Sequence, residues 1–300
     1  MTPIGALPAR FRRTRVLILG HGDVGSRVAA LIKKRARVVA TTSNPDRFHE
    51  LRAAGLTPAW VNLDLPQALN RWSGWAQRVL HTVPPASSGD QDERTRRAVN
   101  SMRLRGRARQ AVYVSTTGVY GDRRGAWVSE TDALQPTTLR ARRRVDAERR
   151  WRAFMHPWTI LRAPGIYALD REGGNPIERI QRGLPVPTAA DDVYTSRIHS
   201  HDLARACMLA LWSRSPYRVI HLADQSGAKL GEYFVALAHA VGLTPPDQIT
   251  FSEAESRLSP MALSFWLESR RLRTSRMENE LKLRLTYPTV FDALAKKNLR

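Results

Sequence analysis

Residues 15–32 read RVLILGHGDVGSRVAALI, an apolar run that ends in glycines at positions 20, 22 and 25 and leads directly into a segment whose Val24, Val28, Leu31 and Ile32 recur at three- and four-residue steps. The run predicts a strand and the steps predict an amphipathic helix, so a G-x-G-x-x-G spacing stands where one turns into the other. Each glycine has its own task in such a turn. Gly20 permits the tight bend, Gly22 lets the backbone approach a pyrophosphate with no side chain between, and Gly25 lets helix and strand pack closely. The helix start presents N–H groups and positive partial charge to phosphate oxygens. Gly20, His21, Gly22, Asp23, Val24 and Gly25 therefore form the expected dinucleotide cradle, with His21 read as exposed filler of the turn rather than a catalyst. The bland alternative is a glycine-rich turn with no ligand.

The same alternation continues along the chain. Apolar, β-branched runs follow at 36–42 (ARVVATT), 60–64 (WVNLD), 78–83 (RVLHTV), 111–116 (AVYVST), 158–167 (WTILRAPGIY) and 218–224 (RVIHLAD), with helices expected at 24–35, 91–105 and 202–212. Strands that alternate with helices predict an α/β fold, here a Rossmann-type doubly wound, mostly parallel sheet of about seven strands. Prolines at 176, 185, 187, 245, 246 and 260 break the rhythm in two stretches. The expected organisation is a nucleotide-binding domain over 1–167 and 196–224, interrupted by a smaller, mainly C-terminal substrate lobe over 168–195 and 225–300.

Cofactor preference is written at the end of the second strand, where a carboxylate would bond the ribose 2′-hydroxyl of NAD. That strand ends in Thr41, Thr42, Ser43 and Asn44, with Arg47 close behind. Hydroxyls, an amide and a guanidinium suit a 2′-phosphate, so NADP is expected over NAD. Asp46 is the acid that a small register shift would bring in, although Asn44, Pro45 and Asp46 also read as a plain turn. His81 closes the fourth strand, either lining the nucleotide site or packed as a strand-end histidine.

Net charge is +21, and all but six of the 48 basic residues are arginine. The clusters at 94–110 and 139–152 could neutralise nucleic-acid phosphates, which would make binding steeply salt-dependent. Arginine is nevertheless spread along the whole chain without zinc-finger spacing or interleaved aromatics, so nucleic acid ranks third among the readings. No apolar run approaches the roughly 18–20 residues of a membrane span. No apolar block of signal-peptide length follows the first arginines, and Cys207 is the single cysteine, so a soluble, reducing, cytoplasmic setting is expected. No His, Cys, Asp and Glu set has metal-ligand spacing, so no metal is expected. Ser115 lacks the G-x-S-x-G elbow of a serine hydrolase.

The fingerprint at 20–25, YVSTTGVYGD at 113–122, LRAPGIY at 161–167, SRIHSHDLARA at 196–206 and the tail at 270–294 together resemble the extended short-chain dehydrogenase/reductase superfamily of the NAD-dependent epimerase/dehydratase type, most closely its atypical branch. The resemblance implies a Ser or Thr, a Tyr and a Lys as catalytic set, the last two as Y-x-x-x-K. Thr116 falls at the Ser/Thr position, with Ser115 and Thr117 beside it. Arg140 falls where Tyr belongs and Arg144 where Lys belongs. Arginine stays protonated at physiological pH and cannot serve as the proton-transferring phenol. Arg144 can still bond a nicotinamide ribose, and Arg140 can clamp a carboxylate or phosphate. Tyr120, Tyr167 and Tyr194 lie in segments the resemblance brings toward the cleft, each also readable as packing, and Arg197 is a candidate contact for substrate or cofactor phosphate. Ser200, His201 and Asp202 read as a helix start with an acid in its first turn, beside His199.

These features predict an NAD(P)-dependent oxidoreductase with NADP(H) over the glycine turn and a small-molecule substrate between sheet and small lobe, the usual Tyr and Lys being replaced. The second reading is a dinucleotide-binding sensor that has discarded catalysis. Oligomeric state is left open.

Overall fold

The computed structural model describes residues 13–66, 69–106 and 108–298. The N-terminal stretch in which no leader is expected lies largely outside them. The strands are β1 (Thr14–Leu19), β2 (Ala36–Thr42), β3 (Thr57–Trp60), β4 (Arg78–His81), β5 (Gln110–Thr116), β6 (Trp127–Val128), β7 (Trp158–Ala163), β8 (Gly165–Tyr167), β9 (Val186–Pro187), β10 (Arg197–His199), β11 (Arg218–His221), β12 (Gln248–Ile249) and β13 (Arg271–Leu272). The helices that position functional residues are α1 (Asp23–Ile32), α2 (Phe48–Ala53), α3 (Asn70–Trp75), α4 (Glu93–Arg105), α5 (Leu139–Arg152), α6 (Pro176–Gln181), α7 (Ser200–Trp212) and α8 (Leu230–Ala240).

Seven strands form one central sheet in the order β11-β7-β5-β4-β1-β2-β3, and they are the seven runs the sequence marks. β1 pairs in parallel with β2 and β4, β2 with β3, and β4 with β5. Val16, Leu17, Ile18 and Leu19 are all fully buried, as a central parallel strand covered on both faces requires. Strand order reverses at β1, which lies between β2 and β4, and this switch point is where open α/β sheets bind ligands.

Several boundaries differ from expectation, three of them for a clear local reason. The third strand covers 57–60 rather than 60–64, because the Asn62 side chain accepts from the Asp64 N–H at 2.9 Å and turns the chain. Pro58, which lacks an N–H, is tolerated because β3 is the edge of the sheet. The run 158–167 is two strands, since Pro164 separates β7 in the central sheet from β8, which pairs in parallel with β10. Helix α1 stops at Ile32, and Arg35 N–H closes a turn on the Ile32 carbonyl at 2.8 Å.

By compactness the described residues form two units. The first comprises those of Met1–Val114, Asp146–Ile160 and Cys207–Arg218. In it, Trp151 is fully buried, donates its indole N–H to His81 Nδ1 at 3.2 Å, and packs with Tyr113 and Phe154. The second comprises the described residues of Ser115–Val145, Leu161–Ala206 and Val219–Arg300. Its apolar core gathers Tyr167, Val186, Tyr233, Phe234, Leu237 and Trp266, among others.

Some of the arginines in the basic clusters have internal partners. Arg94 holds Asp64 in a two-point pair at 2.7 and 2.6 Å, Arg97 donates to the Leu63 carbonyl, and Arg150 pairs with Asp146 at 2.7 Å. Among the described residues no helix is long and apolar enough to cross a membrane, and no group of three or more His, Cys, Asp or Glu could hold a metal ion.

Candidate functional site

In the first unit the glycine turn leaves the C-terminal end of β1 and opens α1. Gly20 has φ +91°, a left-handed backbone that favours glycine, and a β-carbon there would lie 2.9 Å from Val83 Cγ2 and 3.1 Å from the Val83 nitrogen. A β-carbon on Gly25 would lie 2.2 Å from the Gly20 carbonyl oxygen. Gly22, the residue before α1, has no atom of the described residues within 4 Å of its would-be β-carbon. The two ends of the turn are thus filled and its middle is bare, the shape a pyrophosphate needs.

Thr41 is buried and spends its side chain on this turn rather than on a ribose. Its Oγ1 accepts from the Gly20 N–H at 3.1 Å, while its carbonyl accepts from the His21 N–H at 3.2 Å. His21 is buried, which corrects its reading as exposed filler. Neither ring nitrogen has a hydrogen-bond partner among the described residues, and burial followed by the nearby Arg47 charge pushes its pKa down, favouring the neutral ring. An orphaned, buried imidazole beside a bare glycine fits a phosphate-bearing ligand better than an empty turn.

Thr42 Oγ1 accepts from the Asn44 N–H at 3.1 Å, and Asn44 Oδ1 accepts from the Asp46 N–H at 2.9 Å. Ser43 lies between them, its carbonyl accepting from the Trp60 indole at 3.3 Å. Arg47 donates from Nη1 to the His21 carbonyl at 3.0 Å, and from Nε and Nη2 to the two oxygens of Glu50 at 3.0 and 2.9 Å. The hydrogen bond to Arg47 is the main cause holding the Glu50 carboxyl below its ordinary pKa. Glu50 was missed from sequence, although Arg47 and Glu50 stand at helical i, i+3 spacing. His81 is fully buried, 5.2 Å from the Tyr113 ring and 5.8 Å from that of Trp151, which places it in packing rather than at the turn.

In the second unit Thr116 caps the short 3-10 turn 117–120, its Oγ1 accepting from the Gly118 N–H at 3.2 Å. The same glycine brings in a carboxylate that sequence reasoning missed: a β-carbon on Gly118 would lie 3.6 Å from Thr116 Oγ1 and 3.8 Å from Glu268 Oε2. Glu268 also accepts from Thr137 Oγ1 at 3.0 Å and pairs with Arg270 at 2.8 Å. Arg140 and Arg144 share α5 at a spacing of four, which puts them on one helix face. Arg140 is exposed, its guanidinium 5.0 Å from the Phe265 ring centre, and Arg144 is half-buried.

Tyr120 is fully buried, which corrects its expected place at a cleft. Arg162 donates to its hydroxyl, and the one phenolic proton lies between the Ser129 carbonyl at 2.9 Å and His221 Nε2 at 2.5 Å. His221 donates from Nδ1 to the Arg273 carbonyl at 3.0 Å, and its pKa is pushed down to about 4, first by burial. Tyr194 lies under the Arg271 guanidinium at 4.7 Å.

Tyr167 and Arg197 are brought together by the pairing of β8 with β10. Arg197 is buried, stacks 3.6 Å from the Tyr233 ring centre, and donates from Nη1 to the Thr195 carbonyl at 3.2 Å. Arg197 Nη2, the Tyr167 and Tyr233 hydroxyls and Asp224 Oδ2 have no hydrogen-bond partner among the described residues. Tyr167 and Asp224 interact electrostatically, and burial is the first cause raising the pKa of both groups. Asp202 is fully buried. It accepts from the Thr286 and Tyr287 N–H groups, each at 2.8 Å, and so fastens the Tyr-Pro turn of the tail.

The sequence pattern of the NAD(P)H-binding family matches residues 20–213. A search of curated proteins finds no match. Among solved structures, a functionally unknown conserved protein from Silicibacter pomeroyi DSS is similar at 30% identity and TM-score 0.82, over 95% of this chain and 98% of that one. The UDP-glucose 4-epimerase of Thermotoga maritima, solved with UDP-glucose, is similar at 16% identity and TM-score 0.75, over 96% and 100% of the two chains. UDP-glucuronic acid 4-epimerase from Bacillus cereus, solved with NAD, gives 16% identity and TM-score 0.72 over 94% and 96%. With its glycine turn at the switch point of a seven-stranded sheet, the chain belongs to the NAD(P)H-binding family and shares the fold of these nucleotide-sugar epimerases.

Proposed function

We propose that the protein is an NAD(P)-dependent oxidoreductase acting on a small molecule, with NADP(H) preferred. The observation that carries this reading is the cradle: Gly20 and Gly25 are sterically closed, Gly22 is bare, and the unpartnered ring of His21 lies buried beside it. The first-turn N–H groups of α1 would hold the pyrophosphate. The preference for NADP rests on a β2 that ends without a carboxylate and on Arg47, fixed to the His21 carbonyl at 3.0 Å. A bound nicotinamide supplies hydride transfer, and the protein supplies position and charge.

Thr116 orients the reacting oxygen, and Arg140 and Arg144 stabilise negative charge on substrate or bond the ribose, in place of the usual Tyr and Lys. Arg197 and Tyr167 are the substrate contacts, since their buried unpartnered polar atoms suit a polar ligand. The expected division into a nucleotide domain (1–167 and 196–224) and a substrate lobe (168–195 and 225–300) is part of the proposal. So is a reducing cytoplasmic setting, supported by the single, buried Cys207.

The replacement of Tyr and Lys by Arg140 and Arg144 favours one other reading, a non-catalytic dinucleotide sensor. A panel of carbonyl compounds incubated with the protein and NADPH separates the two. Oxidation of NADPH that is lost in Thr116→Val and kept in Thr116→Ser supports the enzyme. Dinucleotide binding with no turnover on any compound supports the sensor.

A further inference from the structure

No acid stands at the end of β2, yet the fold ties one, from the next helix, to Arg47. Arg47 lays Nε and Nη2 on the two oxygens of Glu50 at 3.0 and 2.9 Å and Nη1 on the His21 carbonyl at 3.0 Å. A guanidinium has five N–H hydrogens. The Glu50 pair takes the edge formed by Nε and Nη2, and His21 takes one hydrogen of Nη1. One hydrogen on Nη1 and one on Nη2 remain for an anion.

Glu50 therefore acts on a 2′-phosphate in two opposed ways. It fixes the plane of the Arg47 fork, so that less order is lost when an anion binds. It also sets a full negative charge across one guanidinium from a dianion. The Glu50 side chain is 52% exposed, so that repulsion is softened by solvent without being abolished. The hydrogen bond from Arg47 holds the carboxyl ionised. A cofactor without the 2′-phosphate sets no charge beside Arg47 and so feels neither effect strongly.

We propose that Glu50, clamped side-on to Arg47, sets the balance between NADPH and NADH by charge, restraining the NADP preference that Arg47 confers. The inference rests on the dinucleotide reading of the glycine turn. Gln at position 50 keeps an acceptor for the fork and removes the charge, whereas Ala removes both.

The test is calorimetric titration of wild-type, Glu50→Gln and Glu50→Ala proteins with NADPH and NADH at low and physiological salt, with melting curves to establish folding. Glu50→Gln is expected to tighten NADPH by about three- to tenfold and leave NADH within about twofold, the gain shrinking as salt rises. Glu50→Ala is expected to gain less, because the fork is no longer held. A Glu50→Gln protein whose affinities for the two cofactors move in parallel, or do not move, overturns the role of Glu50 alone. A folded wild-type protein that binds neither cofactor overturns the dinucleotide reading itself, and this inference with it.

Discussion

A β-carbon on Gly25 would stand 2.2 Å from the carbonyl oxygen of Gly20, so the first and third glycines of the turn are one steric unit. The oxygen cannot retreat freely, because Thr82 Oγ1 donates to it at 2.7 Å. Gly25→Ala should therefore force the turn apart, at a cost of about 1–3 kcal/mol in stability. Urea unfolding and dinucleotide titration should show both properties fall together.

Gly22 is the opposite case. Nothing approaches its would-be β-carbon and its φ is −88°, so an aspartate fits, and aspartate is a favoured residue before a helix. Gly22→Asp is expected to keep or slightly raise the unfolding midpoint while dinucleotide affinity falls at least about a hundredfold, since it places bulk and like charge where the pyrophosphate belongs. Unchanged affinity in this variant would sink the cradle assignment.

The buried His221 gives a pH signature. Its pKa in the fold is pushed down to about 4 by burial, with the Arg162 and Arg276 charges adding to the fall. The unfolded chain, with an ordinary histidine, binds more protons between about pH 6.5 and 4, so stability is full above that window and drains as pH falls through it. The contribution at stake is on the order of 3 kcal/mol. Denaturant midpoints at pH 7.0, 5.5 and 4.5 should fall more steeply for the wild type than for His221→Gln, which starts less stable. Equal slopes would contradict the assignment.

Trp151 ties α5 to β4 through its indole bond to His81. Trp151→Phe removes that donor and should cost about 1–3 kcal/mol, and Trp151→Ala about 3–5 kcal/mol, read by urea unfolding.

What the sequence revealed follows its periodicities. The inner strands of the sheet stand out because central parallel strands need continuous apolar runs, and the glycine fingerprint because Gly20 and Gly25 answer steric demands. Where local side-chain chemistry decides, the reading slips: the Asn62 turn ends β3 early, and Pro164 divides an apparently single strand. Roles set by long-range contacts were not legible. The burial of His21 and Tyr120, the Thr41 bond to Gly20, the reach of Glu268 to the glycine beside Thr116, and the grip of Asp202 on residues 286–287 join segments far apart in the chain.

Calorimetric titration of the purified protein with NADPH and NADH tests the central claim most directly. Micromolar binding of NADPH is expected, tighter than that of NADH and lost in Gly22→Asp. Absence of binding by either cofactor to the folded wild-type protein would contradict it and leave the glycine turn as a structural element without a ligand.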